Sequence, residues 1–362
     1  MNNEPFRHAH SRQASSGGTS TIRARVPLRL GLAGGGTDLS PYCDIFGGAV
    51  LNTTIDRYAY AFVAPSDDGR VHFHAPDLET SENYAPDMLD EDAVQNAKLK
   101  IHAGVTLGIA RRYGFAVEPL RITSFVDAPP GSGLGSSSAL VVALVEAFAA
   151  HYRLPLGPYD IAHLAWQIER VDLDLMGGKQ DQYAGTFGGT NFIEFLANDR
   201  VIVNPLRVSE PIRNEIETSL VIAFSGVSRS SATIIAEQRS GLIALSDEAV
   251  ENMHRLKHDA HEMKDALLRG DVAQMACILN RSWVTKKNTA KGISTSLIET
   301  LYSCAHAAGA LGGKVSGAGG GGFMMFIVPP ERRVEVIQAL NRAGATASGV
   351  HLVAEGAETW RS

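Results

Sequence analysis

Apolar and polar positions follow two periods along this chain. Ile22–Leu32, Arg57–Ala64 (RYAYAFVA) and Leu120–Asp127 (LRITSFVD) are rich in strand formers and predict β-strands. From Ser137 the run ALVVALVEAFAAHY is apolar almost all round, which predicts a buried helix of about four turns. Tyr159–Arg170 is amphipathic and predicts a second, shorter helix. Asn204–Glu210, with Pro205 and Pro211 beside it, reads as a domain joint. Beyond it come a strand (SLVIAFSG, 219–226), a charged helical region over 230–270, more helix to about 310, a strand (FMMFIV, 323–328) and a helix (ERRVEVIQALNRA). Strands and helices mix without a regular βαβ period, so the expected class is α+β rather than a doubly wound parallel sheet. The expected division is a tail over 1–20, one domain over 21–205 and a second over 206–362.

The chain has 362 residues, 44% of them apolar and 20% charged, a composition that excludes a largely disordered protein. A net charge of −6 disfavours a nucleic-acid or anionic-membrane partner, and no uninterrupted apolar stretch is long enough for a membrane span. Residues 1–20 lack an apolar core and are not expected to be a signal peptide. Three scattered cysteines (Cys43, Cys277, Cys304) exclude a disulfide framework or a C-x-x-C zinc site and fit a reducing cytoplasm.

Glycine is the anomaly, with 36 residues, many gathered in three segments. In the middle one, Asp127–Ala139, glycines 131, 133 and 135 are followed by three serines that open the apolar helix. Converging backbone N–H groups at a helix N-terminus form a phosphate cradle. A plain serine N-cap needs far less glycine, and no Gly-Lys-Ser/Thr follows at Walker A spacing. The last segment, Lys314–Phe323 (KVSGAGGGGF), contains a formal G-x-G-x-x-G, but a strand follows it where a dinucleotide fingerprint requires a helix. Its glycines instead allow backbone to lie against a ligand or a facing loop. In the first segment, Arg29 and Asp38 flank glycines 34–36 and offer a planar donor and an acceptor to a polar ligand, although Gly-Thr-Asp is also ordinary turn chemistry.

Together and in this order the segments resemble those of the GHMP kinases, the superfamily of galactokinase, homoserine kinase, mevalonate kinase and phosphomevalonate kinase. Pro129–Ser137 matches that family's Pro-x-Gly-x-Gly-Leu-Gly-Ser-Ser motif and Gly317–Gly322 its C-terminal glycine motif, and the likeness spans residues 22–355. The Gly-Glu-His-Thr-Asp of galactokinases is replaced here by Gly34-Gly35-Gly36-Thr37-Asp38. GLAGGGTDLSPY, GGKQDQYAGTFGG and KVSGAGGGGF are similar to strings of the family's heptose 7-phosphate kinase branch and its fucokinase-like relatives.

The resemblance implies a GHMP kinase two-domain fold, with an N-terminal half like ribosomal protein S5 domain 2 and a ferredoxin-like C-terminal half. It implies ATP- and Mg²⁺-dependent phosphorylation of a sugar's anomeric hydroxyl, with a heptose 7-phosphate as acceptor, for activated heptose and surface polysaccharide such as capsule. A hexose 1-kinase of the fucose type, or a sugar and ATP sensor without turnover, are the alternatives. The joint presence of Ser137, Glu169, Asp181 and Arg29 speaks against the sensor. Homo-oligomerisation is left open.

Carried over by the resemblance, Asp181 is the catalytic aspartate and Arg29 the basic residue at the reacting centre. Pro130, Gly131, Ser132, Gly133, Leu134, Gly135, Ser136, Ser137 and Ser138 hold ATP, and Ser137 with Glu169 supplies oxygens to Mg²⁺, the hard ligands it prefers. Gly35, Gly36, Thr37, Asp38, Gly178, Lys179, Gly319 and Gly320 bind substrate. A substrate phosphate needs a basic pocket, for which Lys286, Lys287, Lys179 and Arg229 are candidates; exposed lysines are more often simply solvated. His254, His258 and His261 share a helical face without a recognised zinc signature and read as part of a charged surface helix.

Overall fold

The computed structural model describes residues 20–228, 232–244 and 246–362. The expected tail falls almost wholly outside these residues, as does Arg229. Seven strands of the N-terminal half are β1 (Ile22–Ala33), β2 (Gly48–Pro65), β3 (Val71–Ala75), β4 (Thr80–Tyr84), β5 (Leu120–Val126), β6 (Thr190–Phe195) and β7 (Val201–Pro205). They build one sheet in the order β1-β2-β5-β3-β4, with β6 pairing the start of β2, and β7 pairing β6. Pairing is antiparallel except between β3 and β5.

Helix Ser136–Tyr152 lies across β1 and β2. Leu140, Val141, Leu144, Val145 and Phe148 are buried among Leu28, Leu30, Leu51 and Ile55, which explains its apolar circumference. It starts one residue earlier than the pattern suggested. The helix expected over Tyr159–Arg170 runs regularly from Pro158 to Trp166 and then loosens into a π-helical turn over Gln167–Asp172. Helix Lys100–Tyr113 escaped the sequence reading, because small residues blur its periodicity. One of them, Gly104, gives Leu173 room: a Cβ there would lie 2.4 Å from the Leu173 side chain.

The C-terminal half adds β8 (Leu220–Phe224), β9 (Gly312–Val315), β10 (Phe323–Ile327) and β11 (Thr346–Gly349), in the antiparallel order β11-β8-β10-β9. With helices between β8 and β9 and helix Arg333–Arg342 before β11, this is the ferredoxin-like order. Alternation along β8 and β10 gives the sheet two apolar faces. Val221, Ala223, Met324 and Phe326 meet helices Ser296–Ala307 and Arg333–Arg342, while Ile222, Met325 and Ile327 meet helices Asp247–Arg269 and Val272–Lys287. That second face is continuous with the N-terminal core.

Two features amend the division expected at residue 205. The halves share one apolar core. The chain's end also leaves the second half: β12 (Glu358–Arg361) pairs antiparallel with β1, and Leu352 bridges Ile55. The physical reason is the open edge of β1, whose N–H and C=O groups need partners. No helix among the described residues is long and apolar enough to cross a membrane.

Candidate active site

A cavity of about 340 Å³ opens between the two halves, walled by all three glycine-rich segments. The middle segment turns sharply, and Gly135, at φ +75°, hands the chain into helix Ser136–Tyr152. Gly131, Gly133, Gly135, Ser136, Ser137 and Ser138 line the wall, so the helix's first N–H groups and its partial positive charge are at the cavity. Pro130, Ser132 and Leu134 are not on that wall, and Ser132 and Leu134 are fully buried behind it.

The last glycine segment braces the middle one from behind. Gly133 has φ +82°, and a Cβ on it would lie 2.3 Å from the carbonyl oxygen of Ser316. A Cβ on Gly317 would lie 2.6 Å from the Gly133 Cα. The Ser316 hydroxyl donates to Gly133 O at 3.0 Å, and Phe323 N donates to Ser132 O at 2.8 Å. Glycine is thus required where two backbones touch. Gly319 and Gly321 line the cavity, whereas the N–H of Gly320 turns away to Ile293 O.

Arg29 and Asp181 meet between these loops. Arg29 Nε and Nη2 both reach Asp181 Oδ1, at 2.7 and 2.6 Å, and Arg29 Nη1 donates to Gly133 O at 2.7 Å. Asp181 Oδ2 has no partner among the described residues. Asp181 is the second residue of helix Gln180–Phe187, so its carboxylate sits at the positive end of the helix dipole. Asp38 caps that helix: its Oδ2 accepts from Gln180 N and its Oδ1 from Gln180 Nε2, both at 3.0 Å. Burial, then repulsion from Asp181, pushes the Asp38 carboxyl upward. Both its oxygens are engaged, so Asp38 fixes the start of the helix that carries Asp181 while it lines the cavity.

Glu169 is only 1% exposed, unlike most carboxylates on amphipathic helices. The π-helical turn carries it inward. Gln182 Nε2 donates to its Oε2 at 2.6 Å, and Arg170 Nη1 lies 3.2 Å from its Oε1. Burial nevertheless holds its pKa above the ordinary value, against the pull of Arg170. Ser137 is exposed toward the same cavity. Arg170 also donates to the carbonyls of Leu175, Met176 and Gly178, shaping the loop that leads to Asp181.

Gly35, Gly36 and Gly178 also line the cavity. Thr37 and Lys179, both expected to bind substrate, do not. The Thr37 hydroxyl donates to Gly34 O and Ala49 O, locking the first glycine turn. Lys179 pairs with Asp199 at 2.6 Å and Asp44 at 3.4 Å and lies over the Trp166 ring. Lys287 pairs with Glu299 at 3.1 Å, so of the described phosphate candidates Lys286 alone reaches the cavity. Its ammonium donates to Gly317 O, and burial and Arg29 push its pKa down to about 8. The three histidines have separate partners: His254 bonds Tyr42, His258 pairs with Glu262, and His261 lies against Phe192. Sequence reasoning missed Arg170, Gln180, Gln182 and Lys314; only Lys314 carried a signal, as the residue that opens the last glycine string.

Family models for the GHMP kinases N terminal domain and the GHMP kinases C terminal match residues 100–189 and 263–346. D-glycero-alpha-D-manno-heptose 7-phosphate kinase of Campylobacter jejuni is 43% identical over 94% of this chain and 99% of its own length. The chain belongs to the GHMP kinases. Among solved structures, a D-glycero-D-manno-heptose 1-phosphate kinase of Bacteroides thetaiotaomicron superposes with a TM-score of 0.77. It is 40% identical and covers 94% of this chain and 98% of its own. Galactokinase of Lactococcus lactis, 18% identical, shares the fold with a TM-score of 0.72 over 93% of this chain and 95% of its own. As a GHMP kinase the protein is an ATP-dependent phosphotransferase with an alcohol acceptor, and its mixed α+β two-domain fold is that of the family.

Proposed function

We propose that this kinase transfers the γ-phosphoryl group of ATP to the anomeric hydroxyl of D-glycero-α-D-manno-heptose 7-phosphate, giving the 1,7-bisphosphate for nucleotide-activated heptose and surface polysaccharide in the cytoplasm. The observation that carries the reading is the Arg29–Asp181 pair beside the phosphate cradle, in a chain so similar to a heptose 7-phosphate kinase.

The free N–H groups at the start of helix Ser136–Tyr152 receive the nucleotide phosphates. Asp181 Oδ2, the unengaged oxygen, accepts the proton of the acceptor hydroxyl while Oδ1 stays fixed by Arg29. A largely dissociative transition state needs no strong base, so a carboxylate suffices. Arg29, tied to the phosphate loop through Gly133 O, faces the charge that develops between donor and acceptor.

Ser137 and Glu169 fit Mg²⁺: a hydroxyl and a carboxylate oxygen, both on the cavity wall, with the carboxylate's burial making a cation welcome. Mg²⁺ bound there would neutralise charge on the nucleotide phosphates. Glu169→Gln keeps the shape and can still accept from Gln182. It is expected to raise the Mg²⁺ concentration for half-maximal rate at least tenfold while the fold persists, as read by circular dichroism. An unchanged Mg²⁺ requirement would remove Glu169 from this role.

ADP release across heptose 7-phosphate, mannose, mannose 6-phosphate, fucose and galactose tests the acceptor. Preference for heptose 7-phosphate supports the proposal. Preference for bare fucose or galactose replaces it with a hexose 1-kinase, and binding of ATP and sugar with no turnover points to the sensor.

A further inference from the structure

The cavity wall carries seven charged side chains: Arg29, Asp38, Glu169, Arg170, Asp181, Lys286 and Lys314. Arg29 is matched by Asp181, Arg170 by Glu169, and Asp38 by amide donors. Two ammonium groups remain without a carboxylate. Lys286 donates only to a carbonyl, that of Gly317. Lys314 is 5% exposed, and no hydrogen bond or ion pair engages its Nζ among the described residues. A buried cation without a partner costs several kcal/mol, so a fold keeps one where an anion arrives later.

Its position is set by the sheet. Lys314 stands opposite Met325 on β10, on the face turned toward helix Val272–Lys287, while the next residue, Val315, packs into the opposite core. The charges that act on Lys314 are Lys286, Arg29 and Asp259. Asp259 is already held by Arg281 at 2.6 Å and by the Ser282 hydroxyl at 2.6 Å. Lys286 in turn feels Arg29, Asp38 and Asp181. The two ammoniums therefore stand beside Arg29 on the wall formed by the last glycine segment, where Lys286 reaches Gly317 O, while the nucleotide phosphates have the helix N-terminus on the middle segment.

Resting on the acceptor reading above, we infer that Lys314, with Lys286 beside it, binds the phosphate monoester at the far end of the acceptor sugar and sets the preference for a phosphorylated substrate. A phosphate dianion brings negative charge to the two amines that no carboxylate faces and accepts from both. Burial first, then the neighbouring Lys286 and Arg29 charges, hold the Lys314 amine well below its ordinary pKa, and a dianion beside it would favour the charged form.

The test is steady-state kinetics of Lys314→Met and Lys314→Gln with ATP and heptose 7-phosphate, with calorimetric titration of the sugar phosphate into each protein. The expected result is a rise of about 100-fold in acceptor KM and in its dissociation constant, with ATP KM within threefold of the parent. Lys314→Met should melt no lower than the parent, since it replaces a buried amine without a partner by an apolar chain of similar length. Acceptor KM within threefold of the parent, or a rise in ATP KM instead, would overturn the inference. A kinase that never used heptose 7-phosphate would fail already as the parent protein, whereas an error about Lys314 appears only in the variants.

Discussion

Asp181→Asn is expected to lower kcat by about 10³-fold while leaving the KM values for ATP and acceptor within a few fold. The amide keeps a carbonyl oxygen for Arg29 but has no oxygen able to take the acceptor's proton. Arg29, 5% exposed, keeps the amide oxygen and Gly133 O as acceptors but loses the negative charge that Asp181 sets against it. The melting temperature should therefore fall by several degrees, because an uncompensated buried charge destabilises the native state. Stopped-time ADP assays and a thermal melt check both parts. A kcat within tenfold of the parent would mean that the proton leaves by another route.

Gly133→Ala should be a severely damaging single methyl group in the site. Its φ of +82° disfavours any L side chain, and the new Cβ would lie 2.3 Å from a main-chain oxygen that no rotamer change can move. Relief requires the two glycine loops to separate, breaking the Ser316–Gly133 bond and moving the carbonyl that positions Arg29. Denaturant unfolding is expected to show a loss of about 3 kcal/mol, and calorimetry a loss of ATP binding of at least 100-fold. Gly292→Ala is the control: it also has a positive φ, of +79°, but a Cβ there meets nothing within 4 Å, so strain without the clash should leave ATP binding intact. Equal ATP affinity in parent and Gly133→Ala would contradict the role given to the loop contact.

What the sequence disclosed was the chemistry written locally. Glycines 131, 133 and 135 before three serines are legible because a phosphate cradle is built from consecutive residues. The apolar helix that follows is legible because burial on every side leaves no polar stripe. Glu169 could be named only through family likeness; its burial depends on a π-helical turn and on Gln182, which no local pattern announces. Lys179 and Lys314 show the same limit in opposite directions. Each is a lysine near glycine, yet Asp199 and Asp44 absorb the first, while a strand register turns the second toward the cavity. Asp38, expected at the substrate, caps the helix of Asp181 through a contact 142 residues away in the chain, which no local pattern announces. The return of β12 to β1 was invisible because four residues carry too little pattern to declare a strand, and only an open sheet edge calls them in.

The acceptor and the atom that receives the phosphoryl group are the core of the functional proposal, and phosphorus NMR of the complete reaction reads both at once. With ATP, Mg²⁺ and heptose 7-phosphate, the account predicts a new anomeric phosphate resonance, coupled to the sugar's H1, growing as the 7-phosphate signal persists. Turnover of ATP without an anomeric resonance, or an equally fast anomeric signal from an unphosphorylated sugar, would contradict it.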